Sequence, residues 1–255
     1  MNIRQLIKRI TFYISVPKCV NCKEKLDIDD HGLCKSCVKV YEEHKGRNCP
    51  RCANKLSYCS CSSDFLSKHG VKKLIKLFRY SKQEQASASN SLIYSLKQDN
   101  REDVLDFLAD ELAEAITRVI DDKKNKYVIT NIPRRKKAII KYGFDHAAML
   151  ARRLSEKLDV EYRPLLISQS KKAQKSVIGE GRIANAKFAL RGRKTQDLRG
   201  KTVIVVDDIV TTGASMSKCA ALIRKCNTRK VIGAVLGIAY KDSYTHIVDA
   251  YSAFE

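Results

Sequence analysis

Residues 203–215 form one continuous motif. They read Val203-Ile204-Val205-Val206-Asp207-Asp208-Ile209-Val210-Thr211-Thr212-Gly213-Ala214-Ser215. The β-branched start of the motif predicts a strand that is buried on both faces, as the strands of parallel sheets are. Two carboxylates come at the carboxyl end of this strand, and a turn of hydroxyl-bearing and small residues follows them. Residues 216–225 then carry the pattern of a helix, so the predicted fold class is α/β with a mostly parallel sheet.

A strand, a Thr/Gly/Ser turn and a helix N-terminus in this order predict a cradle for phosphate. Backbone N–H groups and hydroxyls of such a turn point towards the anion, and the helix dipole favours negative charge there. Asp207 and Asp208 would repel a phosphate, so we expect them to face sugar hydroxyls or a divalent cation. A loop with both features suits a sugar phosphate. The alternative, a buried strand before an ordinary capped helix, would leave paired acids at a buried strand end without a ligand.

The composition describes a globular protein with a strong positive charge. The chain has 255 residues, enough for one large domain or a medium domain with a small one, and it is 44% hydrophobic and 30% charged. Its 49 Lys and Arg against 28 Asp and Glu give a net charge of +21. Such a balance favours polyanionic partners such as nucleic acid, an anionic membrane surface or phosphorylated ligands; a well-solvated basic surface is the alternative.

Eight of the ten cysteines lie in the first quarter of the chain in closely spaced pairs. A first quartet is Cys19, Cys22, Cys34 and Cys37, and a second quartet is Cys49, Cys52, Cys59 and Cys61. Four thiolates bind Zn²⁺ tetrahedrally and leave no open position, so we expect one or two structural zinc ions rather than a catalytic metal. The spacing alone does not decide whether each zinc takes both of its cysteine pairs from one quartet or one pair from each quartet. Clustered cysteines of this kind indicate metal in a reducing compartment rather than disulfides.

The first residues predict neither a signal peptide nor a transmembrane segment, and we expect a cytoplasmic protein. Residues 1–16 have helical spacing of apolar residues and predict a short amphipathic helix that packs on the cysteine module. We place the domain boundary near Leu66, with the helix and a double zinc-ribbon module in residues 1–65 and the α/β domain in residues 66–255. Residues 71–80 carry a basic amphipathic pattern, for which a solvated helix face or an anion-binding face is expected.

The α/β domain predicts strands that alternate with helices. The predicted elements after residue 80 are two helices between 84 and 120, a strand at 126–132, a helix at 143–158, a strand at 160–167, a long basic loop at 168–199, the strand and helix at 203–225, and a last strand at 230–240. The strand at 126–132 runs into the basic residues Pro133-Arg134-Arg135-Lys136-Lys137. Open α/β sheets bind ligands at the carboxyl ends of their strands, so this loop places positive charge where a ligand is expected.

Residues 203–215 resemble the loop of type I phosphoribosyltransferases that binds 5-phosphoribosyl-1-pyrophosphate (PRPP). The eight N-terminal cysteines, the Ile-Pro-Arg-Arg loop, Gly143-Phe144-Asp145 and this PRPP loop occur in one order. Together they resemble the ComF family of competence-associated proteins, which join a zinc-ribbon module to a domain of the type I phosphoribosyltransferase fold. Tyr142 and His146 depart from the Arg and Gln that the family usually has at these positions, and the second quartet closes with CxC instead of CxxC.

The resemblance implies roles for three groups of residues. Asp207 and Asp208 would bind the ribose hydroxyls, and Thr211, Thr212, Gly213, Ala214 and Ser215 would hold the 5-phosphate. Pro133, Arg134, Arg135 and Lys136 would form the pyrophosphate loop, with Mg²⁺ bridging PRPP. Gln174, Arg182 and Asn185 match the segment of the flexible loop that closes over the site.

Three functions stay open from the sequence. The first is a Mg²⁺-dependent phosphoribosyltransferase of nucleotide metabolism, for which no base-recognising hood is evident. The second is a PRPP- or nucleotide-binding protein that acts with single-stranded DNA in competence, with a competence helicase or other uptake proteins as candidate partners; the positive charge favours it. The third is a PRPP-sensing regulator that uses the same site, although no helix-turn-helix is apparent. The acceptor and the oligomeric state do not follow from the sequence.

Overall fold

A computed structural model of the protein describes residues 16–80, 87–121, 126–169 and 187–239. Its strands are β1 (Lys73–Tyr80), β2 (Tyr127–Asn131), β3 (Leu166–Ser168), β4 (Phe188–Leu190), β5 (Thr202–Val210) and β6 (Lys230–Ala239). Its α-helices are α1 (Lys35–Lys45), α2 (Asp64–Lys68), α3 (Ala88–Gln98), α4 (Glu102–Thr117), α5 (Lys136–Tyr142), α6 (His146–Leu158) and α7 (Ala214–Arg224). Short 3-10 helices span Leu56–Tyr58 and Gly192–Thr195. Residues 1–15 of the predicted N-terminal helix lie outside the described residues. Within the described ranges, no helix has the length and apolar character needed to cross a bilayer.

Strands β1, β6, β5 and β2 form a parallel sheet in that order. Successive residues of β5 enter different hydrophobic clusters: Ile204 and Val206 belong to the cluster on one face, and Val203 and Val205 belong to the cluster on the other. All four are 0% exposed. This alternation is the two-residue period of a strand that is covered on both faces. The parallel sheet and the buried strand predicted for residues 203–206 are confirmed.

Two layers cover the sheet. Helices α3, α4 and α6 pack on one face, where Leu92, Leu108 and Leu154 lie in one hydrophobic cluster with Ile204. Helix α7 and the antiparallel pair β3–β4 pack on the other face. The two helices predicted between residues 84 and 120 are observed as α3 and α4. A central parallel sheet with helices packed on both faces is the α/β architecture expected from the sequence.

The cysteine-rich segment packs directly on this domain. Val20, Leu33 and Tyr41 belong to the same hydrophobic cluster as α3 and α4, so the first quartet shares the core of the sheet's helical face. The second quartet lies along β1 instead. The backbones of Cys61 and Lys73 form an isolated antiparallel β-bridge, and the backbone N–H of Leu74 donates to the Ser60 carbonyl at 3.0 Å. The boundary near residue 66 stays a prediction.

The expectation of a helix face in residues 71–80 is wrong. These residues contain β1, in which Leu74, Ile75, Leu77 and Phe78 are all at most 3% exposed. The apolar spacing also fits a helix, but neighbouring β6 supplies hydrogen bonds along the whole segment and makes the strand the more stable choice. Lys76 is therefore buried in the protein rather than solvated, at 2% exposure.

Other boundaries differ from the predicted ones. The strand expected at 160–167 is reduced to an isolated parallel bridge between Ile129 and Tyr162, followed by the short strand β3. The helix expected from residue 143 begins at His146, because Gly143 ends α5 in the left-handed conformation with φ 81°.

Candidate functional site

The motif at residues 203–215 turns from β5 into α7 through Gly213. Gly213 has φ 75°, which other residues rarely adopt, and a Cβ there would lie 2.9 Å from the Leu66 side chain. The N-cap residue Gly213 has no side chain to cap α7, the Ala214 N–H makes only a long hydrogen bond of 3.4 Å to Thr212 Oγ1, and the first turn contains no acid. The N–H groups of this turn and the helix dipole therefore favour an anion there. Thr211 and Ser215 lie on either side of this turn and can add hydroxyls.

The acid pair lies within β5 near its carboxyl end. The Asp208 N–H donates to Asp207 Oδ1 at 2.9 Å, and the Ile209 N–H donates to Asp208 Oδ1 at 2.6 Å. Burial and then the charge of Asp208 raise the pKa of Asp207 well above its ordinary value. Lys97 Nζ lies 2.9 Å from Asp208 Oδ2 and forms an ion pair with it. The Lys97 ammonium therefore balances part of the negative charge of the acid pair.

The basic loop lies beside the acid pair because β2 and β5 are neighbours in the sheet. The Ile132 N–H donates to the Val206 carbonyl at 2.9 Å, which continues the pairing to the start of the loop. Arg134 and Arg135 are half-buried, whereas Lys136 is exposed and begins α5 rather than belonging to the loop. The loops after β2 and β5 both leave the carboxyl edge of the sheet, where open α/β folds bind ligands.

Asp145 holds the basic loop in place. Its Oδ2 accepts a hydrogen bond from the Arg134 N–H at 3.1 Å, and its Oδ1 accepts one from the Ala148 N–H at 3.2 Å as the N-cap of α6. One carboxylate thus joins the loop after β2 to the start of the following helix. The sequence resemblance marked Asp145 without giving it a role.

His146 is a neutral imidazole within the same group of residues. It is 1% exposed, and burial together with the nearby charge of Arg134 lowers its pKa to about 4, although Asp208 opposes that shift. Its ring packs edge-to-face against Phe144 at 4.6 Å between centroids. Among the described residues, no polar atom makes a hydrogen bond of good geometry with either ring nitrogen. His146, which stands where the family usually has Gln, thus lies close to Arg134 of the basic loop and Asp208 of the acid pair.

The structure brings together most of the predicted site residues. The acid pair, the turn at 211–215 and the basic loop lie on neighbouring strands at one edge of the sheet. Gln174, Arg182 and Asn185 lie outside the described residues, and their role stays a prediction. Sequence reasoning missed Lys97, because in the pattern it only marks the end of the first of the two helices predicted between residues 84 and 120. Its partner Asp208 is distant in the chain, so no local pattern joins the two.

Two cysteine clusters of the described residues have the geometry of zinc sites. They are Cys19, Cys22, Cys34 and Cys37, and Cys49, Cys52, Cys59 and Cys61, with the sulfurs of each cluster within 4.8 Å of one another. Cys22 Sγ lies 3.6 Å from Cys34 Sγ, and Cys52 Sγ lies 3.5 Å from Cys59 Sγ. Tetrahedral zinc with Zn–S bonds of about 2.3 Å holds sulfurs roughly 3.8 Å apart, so both clusters fit structural zinc. The quartets are formed by consecutive cysteines, which excludes the exchange of pairs.

Polar groups surround the sulfurs of both clusters. Asn21 Nδ2 donates to Cys37 Sγ at 3.3 Å, and the Cys61 N–H donates to Cys59 Sγ at 3.3 Å. Lys76 Nζ reaches the second cluster from β1, at 3.3 Å from Cys59 Sγ and 2.8 Å from the Cys61 carbonyl. Such donors stabilise thiolate ligands and fix their orientation.

Comparison with known proteins agrees with this architecture. The family described as Phosphoribosyl transferase domain matches residues 144–252. The chain is 23% identical over 227 residues to Competence protein F of Haemophilus influenzae, covering 84% of this chain and 93% of the relative. It is 24% identical over 127 residues to hypoxanthine phosphoribosyltransferase of Buchnera aphidicola, covering 50% of this chain and 62% of that one.

A solved structure is also similar in part. It is the purine phosphoribosyltransferase of Pyrococcus horikoshii, at 20% identity and a TM-score of 0.35, over 52% of this chain and 72% of that chain. Residues 144–252 thus match the phosphoribosyl transferase domain family, the preceding part of the chain holds two four-cysteine clusters that fit zinc, and the chain is similar to Competence protein F along most of its length.

Proposed function

We propose that this chain is a ComF-type protein that binds PRPP with Mg²⁺ and acts with single-stranded DNA in natural competence. One observation carries the PRPP proposal. The acid pair lies near the carboxyl end of β5, the N-terminus of α7 follows that strand, and a basic loop follows the adjacent strand β2 at the same edge of the sheet. Hydroxyls, a phosphate and a pyrophosphate on one small ligand match these three features.

Each feature has a distinct task in this proposal. The N–H groups at residues 211–215 hold the 5-phosphate, and the carboxylates of Asp207 and Asp208 accept hydrogen bonds from the ribose hydroxyls. Arg134 and Arg135 stabilise the negative charge of the pyrophosphate. The oxygens of the acid pair are the protein donors that suit Mg²⁺, which supplies further charge neutralisation of the pyrophosphate when bound. Gln174, Arg182 and Asn185 belong to the loop that closes over the ligand.

The test of PRPP binding is calorimetry on the full-length, zinc-containing protein. The double variant Asp207→Ala with Asp208→Ala should abolish the binding of Mg²⁺-PRPP, because both acceptors of the ribose hydroxyls are lost. Asp110→Ala is the matched control, since Asp110 is an exposed acid of α4 whose ion-pair partner is Lys157, outside the site. Unchanged affinity in the double variant would refute the assignment.

The DNA part of the proposal is supported by charge and by a relative. The net charge of +21 favours binding to a phosphate backbone, and the relative that covers most of the chain is named Competence protein F. The affinity for a single-stranded oligonucleotide should fall steeply with salt concentration, because binding releases counterions. A flat salt response, measured by fluorescence anisotropy, would contradict an electrostatic DNA surface.

A second candidate is phosphoribosyl transfer to a purine base. It is favoured by the similarity to a protein named hypoxanthine phosphoribosyltransferase. In that reaction a ring nitrogen of the base forms a bond to the anomeric carbon of PRPP, and pyrophosphate leaves with the electrons of the broken C–O bond. Incubating PRPP and Mg²⁺ with hypoxanthine, guanine or single-stranded DNA and following pyrophosphate release separates the two candidates. Release with one acceptor would establish turnover, and no release with saturable PRPP binding would establish a binding protein.

A further inference from the structure

We infer that Lys97 is a ligand-binding residue of this site and gives it preference for a ribose that carries pyrophosphate over one that carries only a 5-phosphate. The inference deepens the proposed function and rests on it. Lys97 belongs to α3, an element that contributes none of the residues assigned to the ligand so far.

The oxygens of Asp208 already have partners, and this brings a bound ribose next to Lys97. Asp208 Oδ1 accepts the Ile209 N–H at 2.6 Å, and Oδ2 accepts from Lys97 Nζ at 2.9 Å. A ribose hydroxyl that binds Asp208 therefore shares one of these oxygens with its present donor or displaces the ammonium from Oδ2. The Asp208 and Lys97 side chains are 18% and 31% exposed, so a ligand can reach both. In either case the ammonium lies beside the sugar.

The charge of Lys97 has a specific use there. PRPP carries its pyrophosphate on the anomeric carbon, which adjoins the hydroxyl-bearing carbons of the ribose, whereas C4 and C5 separate the 5-phosphate from them. The pyrophosphate is therefore the group that two bare carboxylates would repel more strongly. Lys97 offsets the charge of Asp208, and its positive charge also acts on Asp207 and His146. Arg134 acts on the same histidine from the basic loop. Lys97 from α3 and Arg134 from the loop after β2 thus both act on His146, which lies beside the acid pair.

Lys97 is held in this position by a well-packed helix. Ser87 caps α3 by accepting the Asn90 N–H at 3.2 Å, and Leu96, which precedes Lys97, is 1% exposed. Ser91 Oγ of the same helix donates to Asn21 Oδ1 of the first cysteine module at 3.0 Å. At the other end of the helix the Asp99 N–H donates to the Ser95 carbonyl at 2.9 Å, so Lys97 lies within the hydrogen-bonded last turn of α3.

The test compares two ligands in three variants of the full-length protein. Lys97→Met should weaken the binding of Mg²⁺-PRPP by at least about tenfold, because a charge-assisted contact to the ligand is lost. The same variant should leave the affinity for ribose 5-phosphate nearly unchanged. Lys97→Arg should restore most of the PRPP affinity. Lys157→Met is the matched control, because it breaks a Lys–Asp ion pair with Asp110 away from the site and should alter neither affinity.

The outcomes distinguish this inference from the proposed function. If the unaltered protein binds no PRPP, both are overturned. If it binds PRPP and Lys97→Met binds PRPP equally well, only this inference is overturned. An equal loss of affinity for both ligands also overturns it, because Lys97 would then only orient Asp208. Selective loss for PRPP with rescue by arginine supports it.

Discussion

Replacing Lys76 with methionine would remove a buried cation from the contact between the second cysteine cluster and the sheet. Lys76 Nζ lies within 3.4 Å of four acceptors, namely the carbonyls of Cys61, Leu74 and Cys59 and the Cys59 sulfur. Methionine has a similar length and no charge, so it fills the same space without leaving a large cavity. The change therefore isolates the contribution of the ammonium.

The magnitude of the Lys76→Met effect follows from these contacts and from the charge of the cluster. Hydrogen bonds to charged groups each contribute about 1.5–3 kcal/mol, and the variant leaves buried carbonyls without a donor. Removal of the costly desolvation of the ammonium offsets part of this loss. Zinc with four thiolates has a net negative charge that the ammonium balances, whereas neutral thiols do not. We therefore expect the zinc-loaded protein to lose about 3 kcal/mol of unfolding free energy, and the zinc-free protein much less.

The assay is urea unfolding of the zinc-loaded and zinc-free proteins, together with the rate of zinc release to a chromogenic chelator. Lys76→Met should release one zinc faster than the unaltered protein does. Lys73→Met, at an exposed position of the same strand, should change neither measurement. Equal destabilisation of the loaded and zinc-free proteins would refute the reasoning, because it would show that Lys76 acts only through the carbonyls.

Three further predictions concern the ligand site and the metal. His146→Gln should reduce the pH dependence of stability. The folded-state pKa of His146, about 4, lies below the ordinary value of 6.5, so the unaltered protein loses stability as the pH falls from 6.5 towards 4. In urea titrations the variant should therefore lose about 2 kcal/mol less unfolding free energy than the unaltered protein between pH 7 and pH 5. Parallel curves for the two proteins would contradict a buried neutral His146. Gly213→Ala should cost about 1–3 kcal/mol of unfolding free energy, because the residue has a positive φ and the new Cβ would contact Leu66. The variant should also bind PRPP more weakly. A variant with full stability and normal affinity would contradict the described conformation of this turn. Elemental analysis should give about two zinc per chain, and a value near one would mean that a cluster with the right geometry stays empty.

The parts of the fold that followed from the sequence are those with strong local patterns. The β-branched run at 203–206 predicts a strand buried on both faces, and the spacing of the cysteines predicts two metal clusters. Residues 71–80 were misassigned because their apolar spacing fits either a helix or a strand. The burial of Lys76 depends on acceptors from the second quartet, which no local pattern reveals.

The site was predictable only where its residues form motifs. The acid pair, the turn and the basic loop each occupy consecutive positions, so their residue types alone indicate phosphate and sugar chemistry. Lys97 joins the site through one long-range ion pair with Asp208, and His146 joins it through burial at the start of α6. Both depend on how separate elements pack, which requires the three-dimensional structure.

The contact between the second cysteine cluster and β1 also bears on self-association. In the described part of the chain β1 is an edge strand of the sheet, and the segment around Ser60 and Cys61 pairs with the outer side of its first residues, Lys73 and Leu74. An uncovered edge strand offers free N–H and C=O groups to the strands of other molecules. Chelation or thiol oxidation that releases this segment would therefore expose an apolar strand, and the protein would precipitate as β-rich aggregates before it unfolds completely. Metal bound by the second quartet would thus keep this edge strand from pairing with other molecules.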